Sequence, residues 1–133
     1  MIREFHAHIY FDSSTQTSAA ALREKILACQ WTGVKTFQLI DRPIGPHPTP
    51  SFELEFGLQE IAVVLPWLIL NRAGHSILVH PVTGDDPRDH FEHCIWLGEK
   101  VALDASKLDP SPDADGNVAI DPSRPRRTDW VKT

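Results

Sequence analysis

The chain is poor in residues that many functions require. Its two cysteines, Cys29 and Cys94, are too few for a disulfide framework or a thiolate metal cage. Both fall within apolar helical patterns and read as buried free thiols in a reducing compartment. Lys and Arg number 13 against 18 Asp and Glu, a formal net charge of −5. That balance leaves no broad basic face for a nucleic acid or an anionic membrane. The one basic cluster, Arg124-Pro125-Arg126-Arg127, sits in a polar tail and reads as solvated. Long apolar runs are also missing. The longest, Ile61 to Leu70, falls far short of the roughly 20 residues that cross a bilayer, and Pro66 interrupts it. The first residues enter a strand with no apolar leader, so a cytoplasmic protein is expected. No glycine-rich phosphate loop is present, Ser76 lacks an elbow motif, and neither cysteine has an activating neighbour.

Histidine and proline are plentiful, at 7 and 11 residues. The histidines cluster at strand ends and beside Pro or Gly. A length of 133 residues with 41% apolar content suits one domain with one core. Residues 4–11, Glu-Phe-His-Ala-His-Ile-Tyr-Phe, read as a strand. Side chains alternate across it, so His6, His8 and Tyr10 share one face and Phe5, Ala7 and Ile9 the other. Ser13-Ser14-Thr15-Gln16 resembles a capping box. Ala19, Leu22, Ile26 and Cys29 then form one helix face, which Gly33 closes. Residues 35–40 predict a second strand, with Phe37 and Leu39 on one side and Gln38 on the other. The Pro-rich segment 41–50 is a structured loop. Phe52-Glu53-Leu54-Glu55-Phe56 alternates as a third strand. Residues 59–73 predict a helix, kinked or started late by Pro66. Ser76 to His80 is the fourth strand. Asp86-Pro87 reads as a cap followed by proline at the first helical position, opening a short helix to about Ile95 that Gly98 stops.

This βαββαβ order predicts an α+β, ferredoxin-like antiparallel sheet with helices on one face, a short C-terminal helix and an irregular tail. Residues 1–103 form the domain. Residues 104–133, rich in Asp and Pro, wrap it or are partly disordered. With the helices covering Phe5, Ala7, Ile9, Phe52, Leu54, Phe56, Ile77 and Val79, the open face collects His6, His8, Tyr10, Gln38, Glu53, Glu55 and His80. Imidazoles and a carboxylate make a borderline N/O site for Fe(II), Zn or Mn. Two histidines and one carboxylate with open positions is the arrangement of non-haem Fe(II) oxygenases. His47, rigidified by flanking prolines, reads either as a ligand or an acid/base at the mouth or as a surface histidine in a turn. His75 is ordinary. Asp89, His90 and His93 read as a solvated helix face, with a contact from that helix to His80 as the alternative.

These segments resemble the DOPA 4,5-dioxygenase family of the small fungal and bacterial type. The resemblance is carried by Phe5–Phe11, Gly45-Pro46-His47-Pro48, Ser51-Phe52-Glu53, Asn71-Arg72, Ser76-Ile77-Leu78-Val79-His80-Pro81, Thr83 and Asp89-His90. It runs from about residue 5 to 98 and stops before the tail. It implies extradiol cleavage of a catechol such as DOPA with O2. The metal, Fe(II) first and Zn or another divalent ion otherwise, would be held by His6, His8, His80 and Glu53. His8, His47 and His80 would act in catalysis, and Tyr10, His47 and Gln38 would contact substrate. A homo-oligomer, a dimer first, is expected as well, because exposed ferredoxin-like sheets commonly pair. The competing readings are a non-catalytic metal- or aromatic-binding protein using the same face, and a purely structural dimer that packs its open face on a second copy.

Overall fold

The computed structural model describes residues 1–127. Its elements are β1 (Glu4–Tyr10), α1 (Gln16–Ala28), β2 (Val34–Thr36), β3 (Ser51–Phe56), α2 (Ile61–Asn71), β4 (Ile77–Val82), α3 (Asp86–Phe91) and β5 (Ile95–Leu97). A 3-10 turn follows at Ala105–Lys107. The strands form one sheet in the order β2-β3-β1-β4-β5, antiparallel at every pairing. The first four strands follow the ferredoxin-like plan, and β5 extends the edge. β1 is central because both of its edges pair, with β3 on one side and β4 on the other.

One face of the sheet carries the core. Ala7 and Ile9 of β1, Phe52, Leu54 and Phe56 of β3, and Ile77 and Val79 of β4 pack under Ala19, Leu22 and Ile26 of α1 and Val64 and Leu68 of α2. These are the strand residues expected to face the helices. Each buried Leu, Ile or Phe contributes about 1.5–3 kcal/mol of transfer free energy, which ties both helices to the sheet. α2 starts at Ile61 and keeps Pro66 inside it.

Several local expectations need correction. The strand read at 35–40 pairs only over Val34–Thr36. Ile40 makes an isolated bridge to Ser51 further on. The capping box does not form: Thr15 is the N-cap of α1 but its side chain caps nothing. Asp12 Oδ1 instead accepts from the backbone N–H groups of Ser14 and Thr15, at 2.8 and 3.0 Å, an Asx turn that feeds the helix. The N-cap of α3 is Asp85, which accepts from Arg88 N–H, so Asp86 is already helical. α3 ends at Phe91, short of the expected end near Ile95, and Ile95–Leu97 instead form a strand that pairs with β4. Cys94 therefore lies outside any helix. Both cysteines are free, and both are half-buried rather than buried. No helix among the described residues is long and apolar enough to cross a membrane.

Candidate metal centre

Register builds the site. In the β1–β3 ladder His6 lies opposite Glu55, and His8 opposite Glu53. In the β1–β4 ladder His6 lies opposite His80. Directly opposed residues share a face, so three imidazoles and two carboxylates meet on the side away from the helices. This face is not open. The 41–50 loop, α3 and the C-terminal segment cover it, and His6, His8, Glu53, Glu55 and His80 are all buried. Between sheet and cover lies a cavity of about 730 Å³, lined by His6, His8, His47, Glu53, His80 and His90 among others.

The covering elements add two imidazoles. His47 comes from a tight turn in which Ile44 and His47 exchange both backbone hydrogen bonds, at 3.0 and 2.9 Å. Gly45 takes φ 51°, in the left-handed region that glycine enters without strain. His90 comes from α3, which is tied to the end of β4 by Asp89. That carboxylate is fully buried and accepts from Thr83 N–H and Thr83 Oγ1, both at 2.7 Å. His90 was expected on a solvated surface, but it is buried with its ring 4.0 Å from that of His80. His93, one turn away from Asp89, stays exposed.

The hydrogen bonds aim the rings. His80 Nδ1–H donates to the Pro81 carbonyl at 2.8 Å, and His90 Nδ1–H to the Asp86 carbonyl at 2.8 Å. Each Nε2 is left as a bare lone pair. A carbonyl behind the ring is the usual way a ligating histidine is oriented. His47 Nδ1 shares a hydrogen bond of 2.7 Å with the Tyr10 hydroxyl. His8 Nε2 faces His80 Nε2 at 3.1 Å. Neighbouring nitrogens on an ion bound at about 2.0–2.1 Å sit about 3 Å apart, so this pair has ligand spacing. Two overlapping trios, His6 with His8 and His80, and His8 with His47 and His90, each bring their ligand atoms within 4.8 Å of one another. The donor set therefore fits a divalent cation.

Burial sets the charge state. It holds His8 and His80 well below the ordinary histidine value, and neighbouring imidazoles push the same way. Burial and the adjacent imidazoles lower His47 to about 3. Burial, and then Arg127, lower His6 to about 4 against the pull of Glu55. Burial lowers His90 as well. All five are neutral near pH 7, the form that ligates. Glu53 is pushed up to about 7 by burial, against the pull of Arg127. The Tyr10 hydroxyl is pushed upward by burial and stays protonated.

Two expected contacts lie elsewhere. Tyr10 stands behind His47, stacked on Trp96 with ring centroids 5.9 Å apart, and does not line the cavity. Gln38 is exposed and also outside the cavity lining. The register explains it: Lys35 opposes Glu55, and Phe37 N–H bonds to the Glu53 carbonyl, so Lys35 and Phe37 take the site face and Gln38 does not. His75 is held by Tyr10 O and Ser18 Oγ, both at 2.9 Å, and supports the fold. The residue missed entirely is Arg127. It leaves the supposedly solvated cluster to donate from Nη2 to Glu53 and, at 2.6 Å, to Glu55.

A sequence model of the Dopa 4,5-dioxygenase family matches residues 5–107. The chain belongs to the Dopa 4,5-dioxygenase family. It is 35% identical over 114 residues to a DOPA 4,5-dioxygenase of Amanita muscaria, covering 80% of this chain and 50% of that one. It is 34% identical over 112 residues to an uncharacterized 21.2 kDa protein of Botryotinia fuckeliana, covering 77% of this chain and 61% of that one. The chain thus spans between half and two thirds of the length of these curated relatives. Among solved structures it is similar to one described as "a putative dioxygenase" of Nostoc punctiforme. The two share 44% identity with a TM-score of 0.73, over 77% of this chain and 88% of the other. The matched residues of this family member include every histidine of the cavity and Glu53, and they end before Arg124–Arg127.

Proposed function

We propose that the chain is a metal-dependent extradiol dioxygenase that opens the ring of a catechol, DOPA being the first candidate, with O2. The observation that carries this reading is the ligand-spaced His8–His80 pair, joined by His6, on the wall of a cavity large enough for a substituted catechol. His6, His8 and His80 would hold the ion, with Glu53 beside them. Bound there, Fe(II) would serve as Lewis acid and as a template for catechol and O2. The remaining work falls to the chain. His47 and His90 flank the ligand pair. His47 is neutral, so its Nε2 can take a proton from a catechol hydroxyl while Tyr10 holds Nδ1. Pro43, Ile44, Pro46, Val82 and Leu108 form apolar walls that exclude water and seat the ring. Of the expected substrate contacts, His47 keeps that role, Tyr10 acts through His47, and Gln38 has none.

The deciding experiment loads the purified chain with Fe(II) under anaerobic conditions and then supplies L-DOPA or catechol with air. Oxygen uptake and a yellow ring-opened product are expected. Stoichiometric metal with intact catechol would instead favour the binding-protein reading. Absence of both metal uptake and turnover would overturn both.

A further inference from the structure

The C-terminal segment is more than a cover. Asp104 N–H donates to the Pro46 carbonyl at 2.9 Å, next to His47. Ser111 Oγ donates to Asp85 Oδ1 at 2.6 Å. Arg124 and Arg126 pair with Asp109 within the segment, at 3.5 and 2.8 Å. The chain then drives Arg127 into the sheet face. Its Nε donates to Glu53 Oε1 at 3.3 Å, and its Nη2 donates to Glu53 Oε2 and to Glu55 Oε2. The guanidinium lies over the Phe37 ring, 5.2 Å from its centroid. Glu53 Oε1 is also 3.2 Å from His6 Nδ1 and 3.7 Å from His8 Nε2. The oxygen nearest the histidines is therefore shared with Arg127, and the other is taken by it.

We propose that Arg127 withholds Glu53 from the metal: the C-terminal strap delivers a permanent cation to the buried carboxylate that lies against both His6 and His8, so strap and metal compete for it. The inference rests on the metal reading above. A guanidinium never deprotonates in a protein, so its charge is fixed. It neutralises Glu53, and it opposes any cation held by His8 and His80. Residue 127 lies beyond the segment matched by the family model. Metal bound by neutral imidazoles alone keeps its full positive charge. A carboxylate ligand would reduce that charge and tighten binding. Arg127 is in these terms a positioning residue, which sets how many anionic groups the metal meets.

The test uses the full chain. Affinity for Co(II) and Zn(II) is measured by chelator competition, and the visible spectrum of Co(II) reports its ligands. Arg127→Gln is expected to bind about tenfold more tightly and to change the Co(II) spectrum as Glu53 joins. Arg127→Lys, which keeps the charge, is expected to resemble wild type. The double variant Arg127→Gln with Glu53→Gln is expected to lose the gain. A folded Arg127→Gln variant with unchanged or weaker affinity would overturn the proposal. Should Arg127→Gln fail to fold, Glu53→Gln alone still decides. Its Co(II) spectrum should match wild type, because Glu53 is not a ligand there, and a changed spectrum overturns the idea. Wild-type protein that binds neither metal would refute the metal reading itself, a distinguishable failure.

Discussion

His8 and His80 are set 3.1 Å apart by ladder register and by one carbonyl behind His80. If both are ligands, removing either leaves the other imidazole and one further donor, too few for tight binding. His8→Ala and His80→Ala should each reduce metal affinity by more than about 100-fold, beyond the range seen on losing an outer-shell partner. His93→Ala should leave it unchanged, since that side chain is exposed and its partner among the described residues is Asp89, outside the ligand set. Metal content after dialysis into Fe(II) or Zn(II) checks all three, and unchanged content in the first two would remove the site from consideration. Tyr10 acts one step further out. Tyr10→Phe deletes the 2.7 Å hydrogen bond to His47 while keeping the stack on Trp96. Its stability cost should be small, about 1 kcal/mol. Turnover should fall by roughly 10- to 100-fold while metal content holds. A parallel loss of metal would place His47 among the ligands instead.

At the scale of elements, β1 was legible because its seven residues alternate without a break, so the side of the sheet taken by His6 and His8 could be read before any fold was drawn. Its neighbours β3 and β4 were equally plain from Phe52-Glu53-Leu54-Glu55-Phe56 and the run into His80. Short elements were not. β5 has three residues, and Ile95-Trp96-Leu97 continues an apolar pattern already begun in α3, so nothing local separates strand from helix. The 35–40 segment carries a usable alternation, but its pairing fades after Thr36, and which of its faces meets the site is set by register with β3, a long-range fact. His90 was hidden in the same way: only the Asp89–Thr83 tie shows that α3 turns this face inward. Pro66 offers a test of element stability. It is exposed and sits inside α2, where it denies the helix one i→i−4 hydrogen bond. Pro66→Ala should stabilise the fold by about 1–3 kcal/mol, read as a higher urea midpoint. A lower midpoint would mean that the proline is fitted to its place.

Among the described residues, the 41–50 loop, α3 and the C-terminal segment cover the polar sheet face on which a second copy was expected to pack. Closure has a thermodynamic cost that pH exposes. Five histidines, His6, His8, His47, His80 and His90, are held below the ordinary value of 6.5 by burial. In the unfolded chain each takes up a proton as pH falls through about 6.5. The folded chain refuses those protons until far lower, near 4 for His6 and near 3 for His47. Between these limits the unfolded state binds more protons, so stability must fall as pH falls. Each histidine contributes full stability above 6.5 and loses it on the way to its folded value. Glu53 and Asp86 act in the opposite sense, because burial raises both. Glu53, at about 7 folded and 4.5 unfolded, stabilises below 4.5 and loses that contribution as pH rises through 7. Five groups against two leave the histidines dominant. Metal-free protein should therefore lose on the order of 1–3 kcal/mol per pH unit between pH 6.5 and 5. Urea midpoints at pH 7.5, 6.5, 5.5 and 5.0 measure it, and His90→Ala should flatten the slope. A midpoint that stays level across that range would mean that the histidines are solvated and that the cavity is open to bulk water.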